Sequence, residues 1–197
     1  MDRKIRVAAI GDNCIDYYDS LNKSYPGGNP VNVAVYIKRL GGESSYTGAV
    51  GTDSFGKIMI SAIQNKGVDT SHIQVLDGKT AVTHVDIVDG DRVFGKYEEG
   101  VLADFKLREQ DISFIKKHDL AVTGIWGMIE DELPLISKEI PVAFDFANKF
   151  YRHQFYFQVL LSYLFSGADF GMPENPRVWI SPQVPSFQIR APLSYIF

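Results

Sequence analysis

The chain has 197 residues, 45% of them hydrophobic and 22% charged, with a formal net charge of -4 and a pI near 5.5. That balance suits one globular domain with room for a sizeable core. It supplies no basic patch for nucleic acid, no polybasic anchor, and no apolar run near the roughly 20 residues of a membrane-spanning helix.

A single cysteine, Cys14, excludes an internal disulfide, and no small-residue cleavage site follows "MDRKIRVAAIG". The expected compartment is therefore a reducing cytoplasm. Cys14 itself reads as a small, buried apolar residue.

Taken in order, the first 150 residues alternate strand and helix. "IRVAAIG" (Ile5–Gly11) is a short, β-branched apolar run ending at glycine, as a buried parallel strand does. A helix follows the "PGGNPVN" turn, with Val31, Ala34, Val35 and Leu40 as its apolar positions. Lys38 and Arg39 suit its C-terminal dipole, and Gly41 and Gly42 stop it. "SSYTGAVG" (Ser44–Gly51) predicts the next strand and "SFGKIMISAIQNKG" (Ser54–Gly67) the next helix, with Asp53 as its cap. "TAVTHVDIV" and "RVFGKY" flank an Asp89-Gly90 turn, the signature of an antiparallel hairpin inserted into the alternating pattern. Residues 108–119 predict an amphipathic helix, "LAVTGIWG" a strand, "EDELPLISKE" a short helix and "PVAFDF" a strand. Alternating β and α elements imply a mostly parallel three-layer sheet.

Past Phe150 the chain changes character. Residues 151–197 hold five charged side chains but eleven of the 25 aromatics and five of the nine prolines. Prolines in "PENPRVWISPQVPSFQIRAP" are too frequent for a helix or a central strand. This stretch reads as a divergent tail, and the abrupt shift suggests a truncation or a change of reading frame.

The "PGGNPVN" turn raises the question of a ligand. In an open α/β sheet, ligands sit at the carboxyl ends of strands, and Asp12 follows the first strand there. Asn29 reads as the helix N-cap, Pro30 as its first residue, and Asn32 shares a face with Asn29. Gly27 and Gly28 let the backbone approach a partner closely. One carboxylate and two carboxamides converging on a glycine-lined helix start suit a ligand rich in hydroxyls. The same residues also serve as a plain capped turn, and spacing alone leaves both readings open.

The stretch "IGDNCIDYYDSLNKSYPGGNPVNVAVYIKRLG" resembles the N-terminal half of the PfkB-type, ribokinase-like carbohydrate kinases, and "VGTDSFG" resembles that family's first signature. "DRVFGKYEEGVLADF", "GIWG" and "AFDFANKF" are similar to the family's fructoselysine 6-kinase branch. The resemblance covers about residues 4–150. It implies a three-layer ribokinase-like α/β fold with helices on both faces and a β lid, at about 12–25 and 80–97. It further implies sugar contacts from Asp12, Gly27, Gly28, Asn29 and Asn32, with Asn13, Arg92 and Glu98 as secondary candidates. ATP and magnesium as co-substrates, transfer to the 6-hydroxyl of a sugar–amine adduct, and a homodimer through the lid are also implied.

The family's late Gly-Ala-Gly-Asp motif supplies a base and an anion hole for phosphoryl transfer. This chain has no such string. "SGADFG" (Ser166–Gly171) lacks the second glycine, and Pro176 interrupts any helix it could open. No ATP site is legible, and no "GxxxxGK[ST]" loop replaces it. The alternative to an active kinase is therefore a non-catalytic remnant with at most weak sugar binding. Dinucleotide, zinc and serine-hydrolase chemistries are disfavoured: no G-x-G-x-x-G or G-x-S-x-G string is present, and His72, His84, His118 and His153 have no metal-ligand spacing with Cys14.

Overall fold

The computed structural model describes residues 3–145 and the backbone of residues 178–180. The predicted tail, including "SGADFG", otherwise lies outside the described residues.

Five parallel strands make the central sheet. In chain order they are β1 (Arg6–Ile10), β4 (Glu43–Thr47), β9 (Leu120–Gly124), β10 (Val142–Asp145) and β11 (Val178–Ile180). Their spatial order is β11-β10-β9-β1-β4. The chain runs from β1 to β4 on one side, then returns to β9 on the other, so β1 is where the strand order reverses. Ligand crevices of open α/β sheets lie at the carboxyl end of such a strand.

Helices cover both faces, as the alternation predicted. Ala9 points toward α1 (Asn29–Arg39) and α2 (Ser54–Asn65), packing with Val31, Ala34, Val35, Tyr46, Met59 and Ile63. Ala8 and Ile10 point the other way, toward α3 (Glu109–Ile115) and α4 (Leu133–Ser137), among Ile115, Leu133, Ile136 and Val142. Period-two alternation on β1 thus feeds two cores, each full-sized side chain contributing roughly 1.5–3 kcal/mol on burial. Leu40, expected on the apolar face of α1, is 83% exposed; it lies past Arg39, where the helix has already ended.

The stretch expected as one strand over 44–51 is two. After Thr47 the chain leaves the central sheet, and β5 (Ala49–Gly51) pairs in parallel with β6 (Gln74–Leu76). Asp53 caps α2, accepting from the Gly56 amide at 2.9 Å.

The hairpin belongs to a separate four-stranded sheet. β2 (Cys14–Tyr18), β3 (Lys23–Gly27), β7 (Val82–Val88) and β8 (Asp91–Glu98) lie in the order β3-β2-β7-β8. Asp89 and Gly90 turn between β7 and β8 with φ of 53° and 84°, the left-handed pair that matches a hairpin's twist. Among the described residues, no helix is long and apolar enough to cross a membrane.

Candidate functional site

The site forms where β1, the start of α1 and the lid meet. Val7 to Ile10 are fully buried, and the chain must then turn sharply without leaving the sheet's end. Gly11 does this at φ 125°, backed so closely against Gly127 that a Cβ would lie 2.6 Å from its Cα. The Tyr46 hydroxyl donates to the Gly11 carbonyl at 2.7 Å and fixes the turn from below. Gly28 mirrors it across the cleft at φ 111°, where a Cβ would lie 2.7 Å from Asn13 Cα and 2.9 Å from the Asp12 carbonyl. The two glycines let the Asp12 loop and the start of α1 meet backbone to backbone.

Asp12 sits in that contact. Burial pushes its carboxyl up to about 6, and the neighbouring Asp145 adds to the rise. Its own backbone amide and that of Asn29 donate to it and work the other way. A half-desolvated carboxylate on a helix's first amide, beside a second carboxylate, is an arrangement folding alone does not favour.

Asn29 does not cap α1. Gly28 occupies the cap position without a side-chain bond, Asn29 is the first helical residue and Pro30 the second. The reason is Gly28's left-handed backbone, which brings the helix in one residue earlier than the Asn-Pro pair suggested. Asn29 is then free to reach across: its Nδ2 donates to Asp145 Oδ2 at 2.9 Å. Asn32 lies one turn on, half-buried, its backbone amide bonded to the Gly28 carbonyl at 3.0 Å.

Asn13 is 1% exposed, and its Nδ2 donates to the Tyr46 hydroxyl at 2.9 Å and the Ala49 carbonyl at 2.7 Å. It lies beneath the cleft, where its buried Oδ1 has no partner among the described residues. Its neighbour in sequence, Asp12, takes the outward position.

Glu98 is next to Tyr97 on β8, and adjacent strand residues point to opposite faces. Burial pushes the Tyr97 hydroxyl up to about 12, and its nearness to Cys14, Glu99 and Asp12 adds to the rise. Glu98 instead lines a cavity of about 350 Å³ on the other side of the lid, with Tyr17, Phe55, Lys79 and His84. It pairs there with Lys96 at 2.6 Å.

Arg92 stays on the cleft face. Its guanidinium lies 5.8 Å from the Phe94 ring centroid and opposes the rise that burial causes in Asp16. Asp16 is a member of the cleft that the sequence did not single out. It is half-buried on β2, accepts from Cys14 Sγ at 3.4 Å, and lies against Gly27, where a Cβ would be 3.1 Å from Asp16 Oδ2. Gly27 is thus small to admit a carboxylate. The signal available was the two-residue period from Cys14 to Asp16, but only once β2 is recognised as a strand.

Among the described residues, the cleft's charged groups are the carboxylates of Asp12, Asp16 and Asp145 and the guanidinium of Arg92. This set suits hydroxyl groups, which donate to carboxylates.

The match to known proteins agrees with that chemistry. Residues 5–129 match the family model described as pfkB family carbohydrate kinase. The chain belongs to the pfkB family of carbohydrate kinases. It is similar to fructoselysine 6-kinase of Escherichia coli (strain K12), 44% identical over 144 residues, covering 73% of this chain and 55% of that protein. It is also similar to a fructosamine kinase of Bacillus subtilis (strain 168), 35% identical over 178 residues, covering 86% and 62%. The chain therefore spans little more than half the length of these relatives. In fold it resembles a ribokinase of Arabidopsis thaliana complexed with ribose and ATP, with TM-score 0.60, 18% identity and coverage of 75% and 55%. A sugar kinase of Pyrococcus horikoshii in complex with ATP gives TM-score 0.59 at 24% identity, covering 80% and 58%. These structural matches show the ribokinase-like fold, with the β lid as an appendage.

Proposed function

We propose that this pfkB-family chain binds a sugar–amine adduct of the fructoselysine type in the cleft between Asp12, the start of α1 and the lid. The protein's activity is then ATP- and magnesium-dependent transfer of a phosphoryl group to the sugar's 6-hydroxyl, in the cytoplasm. The observation that carries the sugar reading is Asp12: a carboxyl held near pH 6 by burial, met by a helix-start amide and flanked by Asp145. Such a group is placed to accept from sugar hydroxyls that replace the water it lost. Asp16 and Asn32 extend the same donor–acceptor set, and Gly28 gives backbone access. The substrate class is carried by the 44% identity to a relative named fructoselysine 6-kinase.

A second reading has its own observation. No Gly-Ala-Gly-Asp string occurs in the 197 residues, so the base and anion hole for phosphoryl transfer have no counterpart in this chain. General-base assistance is typically worth 10²–10⁴-fold, and holding both reactants together can contribute ~7–11 kcal/mol. On this reading the 197-residue chain binds sugar at most weakly and does not turn it over.

One pair of measurements separates the two. Calorimetry with fructoselysine against a sorbitol control tests binding, and a coupled ADP-release assay with ATP and magnesium tests turnover. Binding with a flat ADP trace supports the second reading; turnover on the order of 1 per second, lost in Asp12→Ala, supports the first. No binding of fructoselysine together with a flat ADP trace rejects the first reading.

The lid adds a partner. Ile87, Phe94 and Tyr97 are between 38% and 62% exposed on one face of the hairpin, an apolar surface on strands that end in an uncovered edge. Such a surface suits burial against a second copy, and the proposed state is a homodimer through the lid.

A further inference from the structure

We propose that Asp145 is a substrate-positioning residue of the cleft, holding Asn29 and, through it, the start of α1 against Asp12. The proposal rests on the sugar reading above and deepens it.

The geometry is a bridge. Asn29 faces both carboxylates: its side-chain Nδ2 donates to Asp145 Oδ2 at 2.9 Å, joining residues 116 apart in sequence, and its backbone N–H lies near enough to Asp12 to oppose the rise of that carboxyl. Asp145 ends β10, two strands from β1 in the sheet, so the contact spans the strand ends where α/β sheets place ligands. Asn29 is exposed, and an exposed amide–carboxylate bond adds little to folding. Its consequence is orientational. It ties the Asn29 side chain to Asp145, whose carboxyl lies near enough to raise that of Asp12.

The groups facing Asp12 make the electrostatic part testable. From β2, β4 and β8 they are Cys14, Tyr46 and Tyr97. Burial pushes the Cys14 thiol and the Tyr97 hydroxyl up to about 12 and the Tyr46 hydroxyl well above its ordinary value. All three are neutral between pH 4 and 8. Asp145 is the neighbour whose charge adds to the rise of the Asp12 carboxyl.

The experiment is a carboxyl-carbon NMR titration of Asp12 in the 197-residue protein, paired with fructoselysine binding by calorimetry, for wild type, Asp145→Asn, Asp145→Ala and Asn29→Ala. Asp145→Asn keeps an acceptor for Asn29 but removes the charge. It is expected to move the Asp12 midpoint down from about 6 while sugar affinity at pH 7.5 stays within about threefold, since the bridging bond survives. Asp145→Ala and Asn29→Ala remove the bridge, and each is expected to weaken binding roughly tenfold. An Asp12 midpoint unmoved in Asp145→Asn, or full affinity in a folded Asp145→Ala, would overturn the positioning role. If Asp145→Ala does not fold, the Asp145→Asn titration and Asn29→Ala binding decide. A wild type that titrates as expected yet binds no sugar would instead overturn the sugar reading and the positioning role with it, leaving an electrostatic pair alone.

Discussion

The central sheet and the lid are built from strands of similar length to opposite ends. Four of the five residues of β1 are fully buried, between helices on both faces. Seven of the eight residues of β8 are exposed. The first carries almost no polar chemistry and defines where everything else stands; the second carries aromatic, basic and acidic side chains and little of the stability. The cleft lies at the seam, where Asp12 leaves the rigid layer and Asp16 enters the loose one. A recognition site benefits from that division, because the scaffold sets position while the lid remains adjustable.

The largest expected effects therefore fall in the scaffold. Ile10→Ala, at 0% exposure in the core under α3 and α4, is expected to cost about 2–5 kcal/mol by urea denaturation. A loss under about 1 kcal/mol would mean the central sheet is far looser than its packing indicates.

Next comes the buried ionic knot behind the scaffold. Asp111 is 0% exposed and accepts from Arg108 Nε at 2.8 Å, from Gln74 Nε2 at 3.0 Å, and bonds His72 Nδ1 at 2.8 Å. Burial alone would raise its carboxyl, but the Arg108 and His72 contacts outweigh burial and hold it at about 2. Because the folded value lies below the unfolded one of about 3.9, the stabilisation is present above pH 4 and lost as pH falls toward 2. It amounts to about 2 kcal/mol. Thermal melts from pH 2 to 5 should show that slope in the wild type and a flatter one in Asp111→Asn. Equal slopes would show that the knot is not formed in solution.

The smallest stability effect, with the largest effect on association, belongs to the lid. Phe94→Lys should change folding stability by no more than about 0.5 kcal/mol yet convert the proposed dimer to monomer in sedimentation velocity. A wild type that is monomeric at high concentration, or a Phe94 variant that unfolds, would erase the contrast between the two regions.

What the sequence made legible follows the same line. The central sheet, its flanking helices and the Asp89-Gly90 hairpin were readable, because period-two and period-3.6 burial is a local signal. Asp12 and Gly28 were readable from their place at a strand end and a helix start. The surroundings of Asn13 and Glu98 were not readable, because which member of a neighbouring pair turns inward depends on Tyr46 and on the lid's packing. Asp16 went unread because β2 is too polar to announce itself. Asp145 lies at the end of a strand that was recognised, but its bond to Asn29 joins positions with no local relation. Long-range convergence of this kind leaves no mark on either segment.

The most direct test of the account is Asp12→Asn, followed by stability and by fructoselysine binding at pH 7.5. Burial holds the Asp12 carboxyl up at about 6 against an ordinary 3.8. A raised folded value means its contribution to stability is present below pH 4 and lost as pH rises through 6, so at pH 7.5 the ionised wild type carries a folding cost. Removing the charge should stabilise the protein at pH 7.5 by up to about 3 kcal/mol, with no gain at pH 3.5, while sugar affinity falls at least roughly tenfold. A variant that loses stability, or that binds the sugar as well as the wild type, would contradict the claim that Asp12 is a strained carboxylate kept for recognition.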